Sequence, residues 1–251
     1  MASGLRLLMP HEYFPEPEAL LSYPPGQFDL LLMPAYVAAS LIQQGMLQVI
    51  DGAPGRAHDP DGAYTLPHSY RVGALTYADG WPVSSAPSWK DLWRAEARAV
   101  WPASARLAIG AALLRRGYSP NDTHPGHLAQ AEKDLMQLQS HIAAGPMSRP
   151  NLTFSLTALD PRGPRGDPGA VRLPIEGVPL LEYDWAIPID APAVAMARDF
   201  LRHLPIDGPL QQSPVARAVP LIPLMPLPDM ARAQHAQIWL ALAVQPSPAT
   251  A

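Results

Sequence analysis

The chain of 251 residues contains no cysteine, which excludes disulfides and thiolate metal sites. Lysine is almost absent: among 18 Lys and Arg residues, only Lys90 and Lys133 are lysines. The cations form no block, and against 22 Asp and Glu residues they leave a net charge of −4, which argues against nucleic acid as the main partner. Charged residues are only 16% of the chain and aromatics 7%, while 48% is apolar, a composition that buries a core and does not suit a disordered chain. No run of about 18 apolar residues occurs, so no membrane-spanning helix is expected. Met1-Ala2-Ser3-Gly4 runs directly into Leu5-Arg6-Leu7-Leu8 without a leader pattern, which fits a cytoplasmic chain or one whose leader has been removed. The patterns G-x-S-x-G, H-E-x-x-H, G-x-x-x-x-G-K-[ST] and G-x-G-x-x-G are all missing. The chain is therefore expected not to be an enzyme, and no cofactor is expected.

Proline, by contrast, is abundant at 32 residues. Each fixes φ and removes a donor, so elements must be short or stop often. Apolar runs at 5–9 and 28–34 read as buried strands, the second ended by Pro34. Helical spacing follows over 36–46, stopping at Gly45, and 47–50 reads as a strand leading out. A loop rich in Gly, Pro and Asp occupies 52–62, and 64–77 is extended, with Tyr64, Leu66, His68 and Tyr70 on one face. Ser84 to Ser88 is a linker whose last residue is placed to cap a helix opening Trp89-Lys90-Asp91-Leu92-Trp93. An amphipathic helix is expected over 104–116, with Leu107, Gly110, Ala111 and Leu114 on one face and a stop at Arg115-Arg116-Gly117. Another is expected over 126–142, with Leu128, Leu135, Leu138 and Ile142 as its stripe. Residues 162–169 read as a turn, 171–187 as extended, and 192–204 as a helix with Val194, Ala197, Phe200 and Leu201 inward. The proline-dense stretch 205–228 is expected to wrap the surface, and 235–244 to form a last helix. Strands alternating with helices predict an α/β architecture with a largely parallel sheet.

Two local constellations invite chemistry and are better read as structure. Trp89 and Trp93 sit one helical turn apart, which is core spacing. His124 and His127 lie three apart in a loop entering a helix, but no third ligand accompanies them, so no metal is expected there.

Several stretches, in order, resemble the periplasmic polyamine-binding proteins of ABC transporters, the spermidine/putrescine receptors. They are Glu12-Tyr13-Phe14-Pro15; Phe28-Asp29-Leu30-Leu31 through Pro34, Tyr36 and Gly45-Met46-Leu47-Gln48-Val49-Ile50-Asp51; and Tyr64-Thr65-Leu66-Pro67 with Gly73-Ala74-Leu75. Ser88-Trp89-Lys90-Asp91-Leu92-Trp93, then Leu114-Arg115-Arg116-Gly117-Tyr118-Ser119 with Asn121-Asp122, and finally Asp184-Trp185-Ala186-Ile187-Pro188 continue the series. The S-W-x-D-L-W and D-W-A-I-P segments are the most specific. The resemblance implies a two-lobed periplasmic-binding-protein fold of type II-like form, with crossing hinge strands, a trimmed first lobe and ligand held in the cleft by hinge closure. It implies lobe 1 as residues 1–78 plus 185–212, and lobe 2 as 79–184 plus 213–251. It also implies a monomeric, extracytoplasmic solute-binding protein that takes a polyamine or related small solute and delivers it to a membrane permease.

The chain departs from that family in length and in pocket chemistry. Between Pro15 and Phe28 about one strand and most of two helices are missing, and the stretch 149–172 is trimmed. A polyamine site needs carboxylates for the ammonium groups and aromatic walls for the methylene chain. The family's aromatic and acidic positions fall near Pro10, Ala103-Ser104 and Leu156, none of which has that chemistry. The resemblance leaves Asp184 as the acid before A-I-P, with Tyr183 in its place if no gap is allowed and Glu182 one position earlier. It also leaves Tyr36 as the pocket tyrosine, and His11, Glu12, Tyr13, His68 and Tyr70 on loops edging the cleft. On this reading Asp184→Asn abolishes polyamine binding and leaves the fold intact. Alternatives stay open: a receptor of the same fold for an anion, with Arg71, His68 and Tyr70 as contacts; one for a metal, with His11 and Glu12 joined by Tyr36, Tyr70 or Tyr183; or a scaffold that has lost ligand binding and acts as an interaction module.

Overall fold

The structure, a computed structural model, describes residues 4–8, 26–50, 53–78, 86–94, 97, 99–100, 104–139, 152–160, 163–164, 171–204 and 219–244. In chain order the elements are β1 (Leu7–Leu8), β2 (Leu30–Pro34), α1 (Ala35–Gln43), β3 (Leu66–Tyr77), a 3₁₀ helix (Trp89–Trp93), β4 (Ala99–Val100), α2 (Ala105–Arg115), α3 (Pro125–Gln139), β5 (Leu152–Asp160), β6 (Gly163–Pro164), β7 (Val171–Arg172), β8 (Val178–Ala186), α4 (Val194–Arg202), β9 (Leu221–Pro223) and α5 (Asp229–Val244). The chain divides into two compact units: Met1–Tyr70 with Leu181–Pro209, and Arg71–Leu180 with Leu210–Ala251. The two divisions at 70/71 and 180/181 fall inside β3 and β8, so each of these strands runs from one unit into the other.

In the first unit β2 is the central element. All five of its residues are buried, as expected of a continuous apolar run rather than an alternating one. It runs parallel to β1, with Leu7 opposite Leu30, and antiparallel to the second half of β8, with Leu31 opposite Ala186 and Pro34 opposite Tyr183. Helix α1 leaves directly from Pro34 and packs Val37, Ala38 and Leu41 inward. It stops where Gly45 N–H bonds to the Ile42 carbonyl and Met46 N–H to the Leu41 carbonyl, a Schellman closure. Asp29, 1% exposed, ties three segments together: its carboxylate accepts from the Arg6 backbone and guanidinium and from the Ala193 N–H at 2.9 Å. Burial alone would raise its pKa, but these donors hold it below the usual carboxylate value. Residues 47–50, expected as a strand, make only a single bridge, Leu47 to Pro188. Pro188 has no N–H to continue a ladder.

The second unit is built on helices α2, α3 and α5, which enclose Ile109, Leu113, Leu128, Leu135, Ile238 and Leu242. Each such fully buried aliphatic side chain contributes about 1.5–3 kcal/mol. The expectation of an amphipathic α2 is corrected: Arg106 through Leu114 are all buried, so the helix has no solvent face. Arg106 is buried because its guanidinium donates to the Pro120 carbonyl at 3.3 Å, Asn121 Oδ1 at 2.9 Å and the Met225 carbonyl at 2.7 Å. The Ser88 side chain accepts from Lys90 N–H and the Asp91 carboxylate from Ser88 N–H, so the expected cap forms, over a 3₁₀ rather than an α-helix. Trp89 is fully buried, donates from Nε1 to the Gly177 carbonyl at 2.8 Å and meets Phe154 edge-on at 4.8 Å. Around it lie β5 with β4 parallel and β6 antiparallel, β3 with β7 antiparallel, and β8 with β9 parallel. The sheet is thus mixed rather than largely parallel. Leu221–Pro223, expected in a surface wrap, is a strand, because its backbone pairs with residues 178–180. Helix α5 begins six residues before the expected start, at Asp229, and α3 ends at Gln139, with Ile142 outside the described residues.

Candidate functional site

The first unit gathers charge at one place. Glu182 and Asp184 are two apart on β8, so the pleat sends both side chains to the same face, and Tyr183 to the other. Asp184 is fully buried, whereas the Glu182 side chain is 20% exposed. Both acids are met by one guanidinium: Arg56 Nη1 donates to Asp184 Oδ1, and Arg56 Nη2 pairs with Glu182 Oε1 at 3.0 Å. His58 Nε2 stands 2.7 Å from Asp184 Oδ2. The guanidinium lies 5.6 Å from the centre of the Tyr70 ring, within cation–π reach. Burial would lower the Arg56 pKa, but Asp184 first and Glu182 second raise it above the ordinary arginine value, so it stays a permanent cation.

The loop that presents Arg56 is closely built. Asp59, 3% exposed, accepts from the N–H groups of Ala63 at 3.1 Å, Tyr64 at 2.8 Å and Thr65 at 2.9 Å, and from the Thr65 hydroxyl at 3.0 Å. Burial raises its pKa, yet these four donors bring it below the usual value. Arg56 and Asp59 exchange backbone hydrogen bonds of 2.9 and 3.1 Å. The turn is too tight for side chains at two places: a Cβ on Gly55 would stand 2.0 Å from the Pro60 carbonyl oxygen, and one on Gly62, with φ +61°, would stand 2.1 Å from that of Ala53. A buried carboxylate and two close backbone approaches therefore fix where the Arg56 side chain starts.

Of the residues singled out from the sequence, Asp184, Glu182 and Tyr70 share this cluster. Tyr183 is 8% exposed on the opposite face of β8, and Tyr36 is 4% exposed within α1. His68 packs edge-on to Trp185 at 5.4 Å. His11, Glu12 and Tyr13 lie outside the described residues, as do Pro10, Ala103 and most of the shortened stretch before Phe28. In the sequence, Arg56 and His58 are marked only by a pair of basic side chains among Gly, Pro and Asp in a loop. In the second unit, His127 stacks on Tyr118 at 3.8 Å and pairs with Asp122 at 2.9 Å, which accounts for the His124–His127 spacing. Among the described residues no group of three or more His, Cys, Asp or Glu side chains is placed to hold a metal ion, and no helix is long and apolar enough to cross a membrane. A separate concavity of about 360 Å³ on the first unit, lined by Leu5, Met196, Asp199, Phe200, His203 and Leu204, includes none of the candidate residues.

No family model matches the chain. It is 28% identical over 140 residues to the spermidine/putrescine-binding periplasmic protein of Escherichia coli K12, a match covering 50% of this chain and 40% of that protein. The match thus spans well under half of that relative's length. Among solved structures, a putative spermidine/putrescine ABC transporter protein of Listeria monocytogenes superposes with a TM-score of 0.74 at 16% identity, covering 92% of this chain and 89% of the other. The fold is that of the substrate-binding proteins of ABC transporters. The same fold appears in the PBP AgtB of A. tumefaciens R10 in complex with agropinic acid, with a TM-score of 0.58 at 15% identity, covering 91% of this chain and 86% of that one. The relatives are thus binding proteins and transporter components, not enzymes, and those with this substrate-binding-protein fold do not all bind polyamines.

Proposed function

We propose that the chain is the ligand-recognising part of a solute-binding protein serving an ABC importer. It acts outside the cytoplasm as a monomer, takes a small amine-bearing solute, and hands it to a membrane permease. The acid pair Glu182 and Asp184 on one face of β8 carries this reading, because a carboxylate is what an ammonium group pairs with. The relatives named for spermidine and putrescine support an amine as the ligand class.

A thermal-shift screen tests it, with putrescine, spermidine, monoamines, amino acids, small organic acids and ferric iron. A ligand that binds only the folded state adds about 2.7 kcal/mol at a hundredfold excess over its Kd. A rise in melting temperature with amines alone is the expected result. Arg56 already meets Asp184, which favours a second reading in which the scaffold persists without a ligand. No shift with any compound, from a folded sample, selects that second reading.

A further inference from the structure

Resting on the amine-receptor reading, one feature of the cluster specifies the ligand further. Two carboxylates face one guanidinium, so one negative charge remains before the His58 imidazole is counted. That charge is not shared evenly in access: Asp184 is sealed under Arg56 and His58, and Glu182 is the carboxylate open to solvent. We infer that Arg56 is a built-in counter-cation that sets ligand specificity, so that the site accepts a solute with one ammonium group and rejects one with two.

A first ammonium group pairs with Glu182, the carboxylate open to solvent. A second one arriving at Asp184 meets the guanidinium already bonded there, and like charges at contact distance repel strongly where water is excluded. The guanidinium cannot step aside at little cost, because its side chain, 11% exposed, would then be a buried cation parted from Asp184. Arg56 is therefore a specificity residue acting in the place where a second ligand cation would go.

The test is isothermal titration of two ligands of equal length, putrescine and n-pentylamine, in which a methyl replaces one ammonium group. The wild-type protein is expected to bind n-pentylamine more tightly than putrescine. Arg56→Ala is expected to bind putrescine about tenfold or more tightly than wild type, since a charge-assisted contact to Asp184 becomes available. Arg56→Gln, which keeps an amide donor for Asp184, carries the same expectation if Arg56→Ala does not fold. Adding Asp184→Asn to either variant should erase the gain, and Arg56→Lys should keep the wild-type preference. Binding of putrescine by wild type as tight as that of n-pentylamine, or tighter, overturns the inference. So does wild-type binding of n-pentylamine with no gain for putrescine in folded Arg56 variants, and that outcome leaves the amine-receptor reading standing. If neither ligand binds wild type or variants, both fall together.

Discussion

Acidification should destabilise the second unit through one residue, His235. It lies on α5 at 4% exposure, and neither ring nitrogen has a hydrogen-bond partner among the described residues. Burial first, and the nearby positive charge of Arg106 second, push its pKa down from 6.5 to about 3. The unfolded chain takes up a proton below the ordinary value while the folded one does not. Stability is therefore complete above about pH 6.5, falls as the pH drops, and levels off near 3. Each unit of that window is worth about 1.4 kcal/mol, so lowering the pH from about 7 to about 4.5 should remove on the order of 2–3 kcal/mol, a large share of a typical 5–15 kcal/mol. The assay is urea unfolding at both pH values for wild type and His235→Leu, a replacement of similar volume without polar atoms. The variant should lose this part of the slope and gain roughly 1–3 kcal/mol at neutral pH, because two buried unsatisfied nitrogens are gone. An identical pH dependence in the two proteins would refute the reasoning.

Asp59→Ala should cost about 2–3 kcal/mol in denaturant unfolding, since three backbone donors and one hydroxyl lose a buried acceptor. Because the folded-state pKa of Asp59 is lowered, that contribution is present above about pH 4 and lost as the pH falls through the folded value, which a urea series in acid will show. Asp184→Asn should destabilise by about 3 kcal/mol, because the buried Arg56 then keeps only Glu182; a midpoint equal to wild type would show that the ion pair adds nothing. Trp89→Phe should lose about 1 kcal/mol in the same assay, from the missing Nε1 bond to the Gly177 carbonyl.

What could be read in advance follows from the range of the interactions. The apolar run Leu30–Met33, the Gly45 and Gly117 helix stops and the Ser88 cap all depend on residues within a turn of one another, so the order of residues along the chain contains the whole signal. The burial of α2 on every side is not legible locally, because it depends on α3 and α5 and on acceptors for Arg106 at Pro120, Asn121 and Met225. The strand at Leu221–Pro223 has two prolines around it and pairs with residues about forty positions earlier, so nothing local distinguishes it from a wrapping tail.

The candidate site shows the same division inside a single cluster. Glu182 and Asp184 are each legible as candidate acids from the resemblance around A-I-P, and the strand's period of two then puts them on one face. Their cation is not, because Arg56 reaches Asp184 across 128 positions of sequence from a loop whose composition announces only a turn. A carboxylate read from sequence is a capacity to bind positive charge, and the fold decides whether that capacity is offered outward or used within. Here Asp184 is used within and Glu182 remains partly open. Matching an acid to a family's ligand-binding acid therefore transfers the ligand only if the surrounding cations match as well, and Arg56 with His58 is where this chain must be compared with a polyamine receptor.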